Sequence, residues 1–389
     1  MGKVLFAYNG RIEKDADGNY FGNELNDTIV ERYRQLANEV IFLVRVKPLS
    51  NESAGRVRPF RHAHFSVCEL DNFSGLGSYL KNFSNRKKVI EDAVRNADVV
   101  VGRLPSSVGR LAISSAVKLN KPYLVEVVGC PWDALWNHSL IGKLVAPVAY
   151  IKMKMQVSRA PFVLYVTQRF LQKRYPNRHF NVGVSDVIIN EADDNILNER
   201  KKRIEDYSPK EILSIGTIAG IDVKYKGQAD VLRAIVQLKK SNLQIKYYII
   251  GKGTGEYLQK LVAEYGLQNE VEVVGQVPHD RVGEYIRMFD IYLQPSKMEG
   301  LPRAVVEALS YGCPCIGSNA GGIPELLSKE MIYPKGNIGE LSNLLKKITR
   351  DVLHAESAKN FSTSKLFLPQ VLDSRRAAFF SSFIKTIPN

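Results

Sequence analysis

Two glutamates, Glu299 and Glu307, are separated by seven residues within the stretch from Pro295 to Leu327. A carboxylate accepts hydrogen bonds from hydroxyl groups, so two carboxylates in one site suit a sugar. A helix starting after the turn at Gly300 to Pro302 would point unpaired N–H groups and its positive dipole end at a ligand above the turn. The stretch therefore predicts a phosphate-binding site beside carboxylates that bind sugar hydroxyls. A site of both kinds suits a sugar nucleotide.

Proline and glycine predict the elements that would position these glutamates. A short apolar run from Ile291 to Leu293 predicts a strand just before them. Pro302 suits the first position of a helix, where its missing N–H costs nothing. The helix is expected over Arg303 to Tyr311, with Gly312 as its stop. The alternative is an ordinary strand–helix unit in which Arg303 and Glu307 form a surface salt bridge one turn apart.

The whole stretch resembles the signature of the retaining GT-B glycosyltransferases of the GT4 family (glycosyltransferase group 1), which contains an E-x7-E motif. The matching positions are Pro295, Ser296, Glu299, Gly300, Pro302, Glu307, Ala308, Gly312, Pro314, Gly321, Gly322 and Glu325. The resemblance is strong over residues 211–327 and looser in the first half of the chain. It implies an α/β protein of the GT-B class, in which two Rossmann-like, doubly wound domains face a cleft.

The resemblance also implies roles within the stretch. Glu299 would hold hydroxyls of the donor sugar, Glu307 would hold the ribose, and the backbone N–H groups of Gly300 and Leu301 would take the distal phosphate. Neither glutamate need be a nucleophile, because positioning and charge stabilisation can carry such a reaction. No cofactor and no metal are implied, since the nucleoside diphosphate sugar is itself a co-substrate.

Contacts to the diphosphate are expected from cations as well. In the family a basic residue contacts the diphosphate, and Lys226, in the loop that follows Gly216, matches it. The family often has an arginine directly after that first glycine, but here the place is taken by Thr217. Either Lys226 acts with Arg303, or stabilisation of the diphosphate is weaker. The alternative for Lys226 is a solvated loop lysine.

Glycine turns at two further strand ends match places where the family brings its backbone close to the nucleotide. The turn containing Gly251 and Gly253 follows the strand predicted at Lys246 to Ile250, and it is an incomplete dinucleotide fingerprint. Gly275 follows the strand predicted at Val271 to Val274. The alternative for the first turn is a tight connection between a strand and a helix.

The first half of the chain should supply contacts to the acceptor. Asp133 and His138 follow a strand that ends near Gly129, and in the family a polar residue at about this place touches the donor sugar. Asp133 is the first choice and His138 the second. The alternatives are a helix N-cap for Asp133 and a surface position for the histidine. Arg103 could meet a phosphate, but a surface position is the favoured interpretation.

Metal chemistry is not expected. The D-x-D pattern at Asp15 to Asp17 also marks metal sites in glycosyltransferases of another fold, but such a tripeptide is common by chance. His62 and His64 have no evident third ligand, so two histidines on a strand are favoured. Four cysteines have no metal-ligand spacing and suggest no disulfide framework, which favours a reducing cytoplasm; they are Cys68, Cys130, Cys313 and Cys315.

The net charge of +14 is uneven along the chain. Residues 1–187 hold 27 Lys and Arg against 16 Asp and Glu, whereas the remainder holds 27 against 24. No acidic residue occurs between Asp133 and Asp186, although eight cations do. Such asymmetry predicts an anionic partner for the first half.

Residues 139–155 within this acid-free stretch are apolar and basic, and two interpretations stay open. The segment could lie on an anionic inner-leaflet surface and present a lipid-linked sugar acceptor, which the eight cations favour. It could instead be a core helix with basic tips. Pro147 is expected to end or kink a helix here.

Short strand-like runs alternate with helical stretches in both halves, which predicts parallel sheets wrapped by helices. An acceptor-side domain is expected at 1–187 and a nucleotide-sugar domain at 188–368, with Glu199 to Arg203 as a helix tip and linker. A helix in 369–389 is expected to cross back to the first domain. Asn9 to Asn23 is predicted to be a loop after the first strand, on the ligand side.

Together with the resemblance, these features predict a retaining hexosyltransferase that uses a nucleoside diphosphate sugar and a lipid-linked glycan acceptor in surface polysaccharide biosynthesis. It is expected in the cytoplasm, peripheral on the inner face of the plasma membrane. No run approaches the ~20 apolar residues that span a bilayer, and the N-terminus leaves no room for a signal peptide.

Two alternatives belong to other kinds of protein. A nucleotide-sugar epimerase of the same fold is the first, and it would turn over the nucleotide sugar without an acceptor. A basic nucleic-acid-binding protein, argued from a pI of about 9.4, is the second. The chain lacks an aromatic-basic recognition motif, so no nucleic-acid partner is expected.

Overall fold

The computed structural model describes residues 2–50, 53, 55, 57–71, 82–136, 140–189, 192–206, 212–241 and 243–387. It divides into two compact units: unit 1 comprises Met1–Val184 and Arg375–Asn389, and unit 2 comprises Ser185–Ser374. The chain thus leaves unit 1 close to the predicted boundary at 187 and returns to it a few residues after 368.

Unit 1 is built on a largely parallel sheet. Its strands are β1 (Lys3–Lys14), β2 (Tyr20–Gly22), β3 (Glu39–Pro48), β4 (Arg58–Pro59), β5 (Phe65–Leu70), β6 (Val99–Leu104), β7 (Tyr123–Val127), β8 (Phe162–Tyr165) and β9 (Phe180–Gly183). The parallel strands lie in the order β5-β3-β1-β6-β7-β8-β9, so the strand order reverses at β1. β2 runs antiparallel to the end of β1, and β4 runs antiparallel to β2.

β1 is longer than predicted. The strand passes Tyr8 and continues to Lys14, with Ile12 fully buried, because the second half of β1 still pairs with β3. The predicted loop over Asn9 to Asn23 is therefore wrong for its first residues. A tight turn at Asp15 leads instead into β2, and the Asp15 carboxylate accepts the backbone N–H of Asn19 at 2.7 Å.

Helices pack against this sheet and bury its apolar strands. They are α1 (Asp27–Arg34), α2 (Phe83–Arg95), α3 (Ser107–Lys118), α4 (Pro131–Trp136), α5 (Leu140–Arg159) and α6 (Phe170–Arg174). Side-chain caps fix two of their starts, because Asn26 accepts backbone N–H groups at the start of α1 and Ser106 accepts one at the start of α3.

Unit 2 is built on a sheet whose described strands are all parallel. They are β10 (Leu213–Ile218), β11 (Ile245–Ile250), β12 (Val271–Gly275), β13 (Ile291–Gln294), β14 (Cys315–Ser318) and β15 (Ile332–Tyr333). Their order is β12-β11-β10-β13-β14-β15. β13 and β14 are buried along their whole length, as expected of strands covered by helices on both faces.

The helices of unit 2 alternate with these strands or follow them. They are α7 (Asp194–Glu205), α8 (Gln228–Leu238), α9 (Glu256–Glu264), α10 (Val282–Met288), α11 (Arg303–Ser310), α12 (Ile338–Lys346) and α13 (Arg350–Ser364). Glu199 to Arg203 lie within α7 towards its C-terminal end, so the predicted helix tip is confirmed, whereas a linker over these five residues is wrong. Arg200 is buried there and donates to the backbone carbonyl of Ile286 at 2.7 Å, near the C-terminal end of α10.

A last helix, α14 (Pro369–Ile384), begins in unit 2 and ends in unit 1. Phe379 is 2% exposed, and its ring centroid lies 5.8 Å from those of Phe162 in β8 and Phe180 in β9. Phe380 lies 6.2 Å from Tyr33 of α1. The helix therefore completes the aromatic core of unit 1.

Candidate functional site

The strand order of unit 2 points to one place for a ligand. β11 and β12 lie on one side of β10, whereas β13 to β15 lie on the other, so the order reverses between β10 and β13. Open α/β sheets bind ligands outside the carboxyl ends of strands at such a reversal. Two segments leave the sheet there: residues 219–227 after β10, and residues 295–302 after β13.

Glu299 is the centre of a polar cluster at this point. Its Oε1 accepts from Lys226 Nζ at 2.7 Å, from Ser296 Oγ at 2.7 Å and from Gln294 Nε2 at 2.9 Å. The side chain of Glu299 is 9% exposed and that of Lys226 is 22% exposed. Lys226 is therefore not the solvated loop lysine of the alternative interpretation, and the structure brings it together with Glu299.

A buried tyrosine fixes the amide that holds Glu299. Tyr292 OH donates to Gln294 Oε1 at 2.6 Å, which turns the Gln294 NH2 group towards Ser296 and Glu299. Burial raises the pKa of Tyr292 well above its usual value, so the phenol stays a donor. The position of the Glu299 carboxylate is thus set from the interior of β13. Tyr292, Gln294 and Ser296 all help to hold Glu299, yet only Ser296 belongs to the recognised motif.

Gly216 and Thr217 are consecutive buried residues of β10. A Cβ on Gly216 would lie 2.1 Å from the ring of Phe289, so this glycine makes room for an aromatic side chain. Thr217 is fully buried; its Oγ1 donates to the carbonyl of Leu293 at 3.0 Å and accepts from Tyr247 OH at 2.9 Å. Thr217 therefore ties β10 to β13, and an arginine in its place would have to be accommodated inside the sheet.

Two glycines allow the loops of the site to touch. Gly227 has φ +82°, and a Cβ there would lie 2.1 Å from the carbonyl oxygen of Pro295. Gly321 has φ +57°, and a Cβ there would lie 2.1 Å from the carbonyl oxygen of Glu299. The next residue, Gly322, donates its backbone N–H to the carbonyl of Gly300 at 2.7 Å. The Gly-Gly pair of the motif therefore supports the turn that carries Glu299.

Glu307 lies in the second turn of α11 and is partly buried. Among the described residues nothing donates a hydrogen bond to its carboxylate. Burial raises its pKa, and the nearby His279 and Arg303 oppose that effect. His279, which the sequence did not single out, thus belongs to the electrostatic surroundings of this glutamate. The surface salt bridge offered as the alternative is not formed between Arg303 and Glu307.

The N-terminal end of α11 offers free amides. The backbone N–H groups of Gly300 and Leu301 donate no hydrogen bond within the part of the chain that the structure describes. Arg303 begins the helix and is exposed, while Pro302 occupies the cap, one residue earlier than predicted. The helix ends at Ser310, with Gly312 shortly after it. The arrangement leaves two N–H groups and a cation for a phosphate beside Glu299.

The turn after β11 is already occupied by a carboxylate. Asp222 accepts the backbone N–H of Thr254 at 2.9 Å and that of Gly255 at 3.0 Å, which lowers its pKa. Gly253 lies against this carboxylate, and Gly251 donates its N–H to the carbonyl of Gly275 at 2.8 Å. These amides of the turn are therefore engaged within unit 2, and the contacts match the alternative of a tight strand–helix connection.

Two of the candidates in unit 1, Asp133 and Arg103, have partners of their own. Asp133 lies in the first turn of α4, not at its cap, and its Oδ1 accepts from Arg174 at 3.2 Å. His138 lies outside the described residues. Arg103 is not at the surface as favoured: its side chain is 14% exposed and pairs with the buried Glu126 at 3.3 Å. The roles of Asp133 and His138 in sugar contact stay predictions.

No group of three or more His, Cys, Asp or Glu side chains is arranged to hold a metal ion within the described residues. His62 pairs with Glu31 at 3.0 Å. His64 lies in the turn directly before β5 and His62 lies just ahead of that turn, so their predicted position on a strand is wrong.

α5 presents an apolar stripe to solvent, formed by Leu140, Leu144, Val148, Ile151 and Met155. These side chains are from 48% to 80% exposed, and their spacing places them on one face. The opposite face is buried in unit 1 through Gly142, Ala146, Met153 and Val157.

Cations flank the apolar stripe on both sides. The helical spacing puts Lys143 and Lys154 on one side of it, and Lys152 and Arg159 on the other. The helix runs on through Pro147, so of the two predicted effects of this proline, an end or a kink, the end is wrong. No helix in the described part of the chain combines the length and apolar character that crossing a membrane would require.

Sequence comparisons give a family and near relatives. The family model described as glycosyl transferases group 1 matches residues 195–365. Protein CapJ of Staphylococcus aureus is 30% identical over 377 residues, which cover 92% of this chain and 91% of that protein. The amylovoran biosynthesis glycosyltransferase AmsK of Erwinia amylovora is 30% identical over 154 residues, or 37% of each chain.

A comparison with solved structures gives the fold. Anabaena HepE, solved in complex with UDP and glucose, matches with a TM-score of 0.63 at 16% identity and covers 100% of both chains. The likeness and the two doubly wound sheets confirm the predicted α/β, GT-B fold class.

Proposed function

This chain belongs to the glycosyl transferases group 1 family, and on that premise we propose that it transfers a hexosyl unit, with retention, from a nucleoside diphosphate sugar to a lipid-linked glycan. The product would belong to a bacterial surface polysaccharide, a capsule or an exopolysaccharide. The naming of one relative as an amylovoran biosynthesis glycosyltransferase supports this setting.

The cluster at Glu299 carries the proposal. One oxygen of its carboxylate takes three donors, so the other is left to accept hydroxyl groups of a donor sugar. The free amides of Gly300 and Leu301 take the phosphate next to that sugar, and Glu307 takes the ribose. The UDP and glucose bound by HepE support a nucleotide sugar as the donor class.

The reaction needs charge stabilisation more than proton transfer from a side chain. The bond between the anomeric carbon and the diphosphate oxygen breaks as the acceptor hydroxyl oxygen bonds to the same face of the sugar. The hydroxyl proton passes to the departing phosphate oxygen. Lys226 and Arg303 neutralise the diphosphate as it leaves, and removing one such contact typically costs a factor of ~10²–10³ in rate.

The acceptor is proposed to come from a membrane. The apolar stripe of α5 and the cations on its two sides suit a helix that lies in the interface of an anionic leaflet. We place the enzyme peripherally on the inner face of the plasma membrane, where lipid-linked glycans and nucleotide sugars meet. Residues 134–185, which include α5, contain no Asp or Glu, and this supports binding to an anionic membrane surface.

The test is a panel of nucleoside diphosphate sugars with the purified protein, followed by thermal shift and by release of the nucleoside diphosphate without added metal. Wild type is compared with Glu299→Gln and with Glu264→Gln, which changes an exposed glutamate of α9. Loss of a hydrogen bond to a charged group costs ~1.5–3 kcal/mol, so Glu299→Gln should lower kcat/KM by a factor of ~10–100.

The outcomes separate the proposal from its rivals. One sugar nucleotide that stabilises wild type and Glu264→Gln, but not Glu299→Gln, supports it, and an NMR spectrum of the product then shows whether the anomer is retained. Interconversion of the donor sugar without an acceptor would establish an epimerase instead. A folded protein that binds no member of the panel would overturn the activity.

A further inference from the structure

A cavity of about 530 Å³ opens on unit 1 between α3 and α5. Its apolar wall includes Ile113 and Val117 of α3 and Met155 of α5. Val117 is 56% exposed and Met155 is 48% exposed, so both reach the surface at its mouth. Met155 also belongs to the apolar stripe, which makes the cavity continuous with that surface.

Three cations line the same cavity: Arg110 of α3, and Lys152 and Arg159 of α5. None of them forms an ion pair within the described part of the chain. The segments that build the walls are free of acid in the sequence, because no Asp or Glu occurs over residues 99–125 or 134–185. The cavity therefore concentrates positive charge that no carboxylate of its own walls neutralises.

The polar floor is formed by Gln156. Its Nε2 donates to the backbone carbonyl of Arg110 at 3.0 Å and to Ser114 Oγ at 3.1 Å, which holds the side chain between α3 and α5. Its Oε1 is buried and has no hydrogen-bond partner among the described residues. A buried acceptor of this kind is usually satisfied by an ordered water or by a ligand.

We propose that this cavity binds the phosphate headgroup of an anionic glycerophospholipid, with the acyl chains lying along the apolar stripe. The two arginines suit a phosphodiester because a guanidinium binds two phosphate oxygens at once, and Lys152 adds a point charge. Phosphatidylglycerol, with one phosphodiester charge and two headgroup hydroxyl groups, belongs to this class of lipid. The inference rests on the proposed membrane surface and adds to it a defined lipid partner.

The test is partitioning of the full-length protein onto vesicles of phosphatidylcholine with one third phosphatidylglycerol, at physiological salt. The variant combines Arg110→Gln, Lys152→Gln and Arg159→Gln. Each cation near an anionic leaflet contributes about a fivefold factor, so the triple variant should partition on the order of 100-fold more weakly. All three side chains are at least partly exposed, so the fold should tolerate the change.

A charge-matched control separates a built site from general attraction. It combines Arg58→Gln, Arg61→Gln and Lys87→Gln, three exposed cations of unit 1 outside the cavity. We expect this control to weaken partitioning by about fivefold or less, since these cations lie on other elements. Equal losses in the two triple variants, or no loss in the first, would overturn the proposal.

A soluble probe identifies the ligand. Dihexanoyl phosphatidylglycerol, below the concentration at which it forms micelles, should bind wild type saturably and fail to bind the cavity variant. Inorganic phosphate that binds as tightly would overturn the assignment to a lipid. Release of nucleoside diphosphate with a soluble acceptor should be the same in both triple variants, so failure of the proposed activity would be seen separately.

Discussion

Glu307 combines burial with a carboxylate that receives no hydrogen bond from the described residues. Burial raises its pKa, so the folded state becomes less stable as pH rises from the ordinary pKa of glutamate through the raised one. Below both values the penalty is absent. Glu307→Gln should therefore unfold at a higher temperature than wild type at neutral pH, and the difference should vanish near about pH 4. Thermal unfolding over a pH series measures this.

The same substitution should weaken donor binding about 10–100-fold, because the charged hydrogen bond that we propose between Glu307 and the ribose would be lost. A gain in stability with a loss of binding is the signature of a carboxylate kept for a ligand. Glu264→Gln, on the exposed face of α9, serves as the control and should change neither quantity. Equal unfolding temperatures of wild type and Glu307→Gln at every pH would contradict the burial argument.

Residue roles could be predicted from the sequence only where a motif records them. Glu299 and Lys226 stand 73 positions apart, and the family pattern alone predicted that both would face one ligand. The tyrosine–glutamine relay behind Glu299 has no sequence signal, because Tyr292 and Gln294 look like ordinary strand residues. Asp222 accepts the backbone N–H groups of the turn after β11. This is a tertiary contact, and the spacing of residues in the sequence does not predict it.

At the scale of elements, the apolar stripe of α5 can be tested on its own. Leu144→Gln with Val148→Gln should reduce partitioning onto phospholipid vesicles on the order of 100-fold, since each exposed side chain loses ~1.5 kcal/mol of apolar burial. The helix should remain, because these side chains are 79% and 50% exposed and support no core. Vesicle sedimentation and circular dichroism provide the two measurements.

A matched pair in unit 2 gives the control for the stripe. Ile212→Gln with Val236→Gln removes two apolar side chains that are 56% and 37% exposed, and it should leave partitioning unchanged. The stripe variant should still bind the soluble short-chain lipid saturably, although more weakly, since the cavity cations are intact while part of the acyl-chain surface is lost. If the stripe variant bound vesicles as well as wild type does, the proposal that α5 forms the membrane-binding surface would be contradicted.

Most elements were predictable because strands and helices have different apolar periods, and the exceptions have physical reasons. α5 continues through Pro147 because the proline lies towards the exposed side, where water can bind the carbonyl that loses its partner. The polar run Glu199 to Arg203 predicts a helix tip leading into a linker, yet the helix includes all of it and Arg200 is buried against backbone carbonyls. Local composition does not record such tertiary acceptors.

At the scale of the molecule, α14 belongs to the core of unit 1 although it follows unit 2 in the sequence. Phe379→Ala should cost ~3–5 kcal/mol, the usual loss for a buried phenylalanine. Hydrogen exchange should increase in peptides from β8 and β9, while peptides from β10 to β13 keep their protection. The donor binding that we propose for unit 2 should remain.

Leu366→Ala is the control for this change, because Leu366 is 49% exposed and lies in unit 2. It should alter exchange in neither unit. Equal loss of protection in both units after Phe379→Ala would mean that they unfold as one block, which would contradict the separate cores.

The resemblance to the family predicts that a helix within residues 369–389 crosses back to the first domain, as α14 does. The pattern along the sequence predicts two α/β halves, because strand-like and helical stretches alternate in each half and a polar segment separates the halves. The order of strands could not be obtained this way, since alternation fixes that strands are parallel but not which of them are neighbours. The reversal at β10 and β13, which places the site, is visible only in the folded sheet.

The path of the chain has a consequence for its synthesis on the ribosome. Unit 1 lacks α14 until the roughly 190 residues of unit 2 have been translated, which takes about 10–40 s at ~5–20 residues per second. During that time the aromatic face of β8, with Phe162, is uncovered in the nascent chain. Unit 2, which is continuous in sequence, can finish folding before unit 1, although it emerges later.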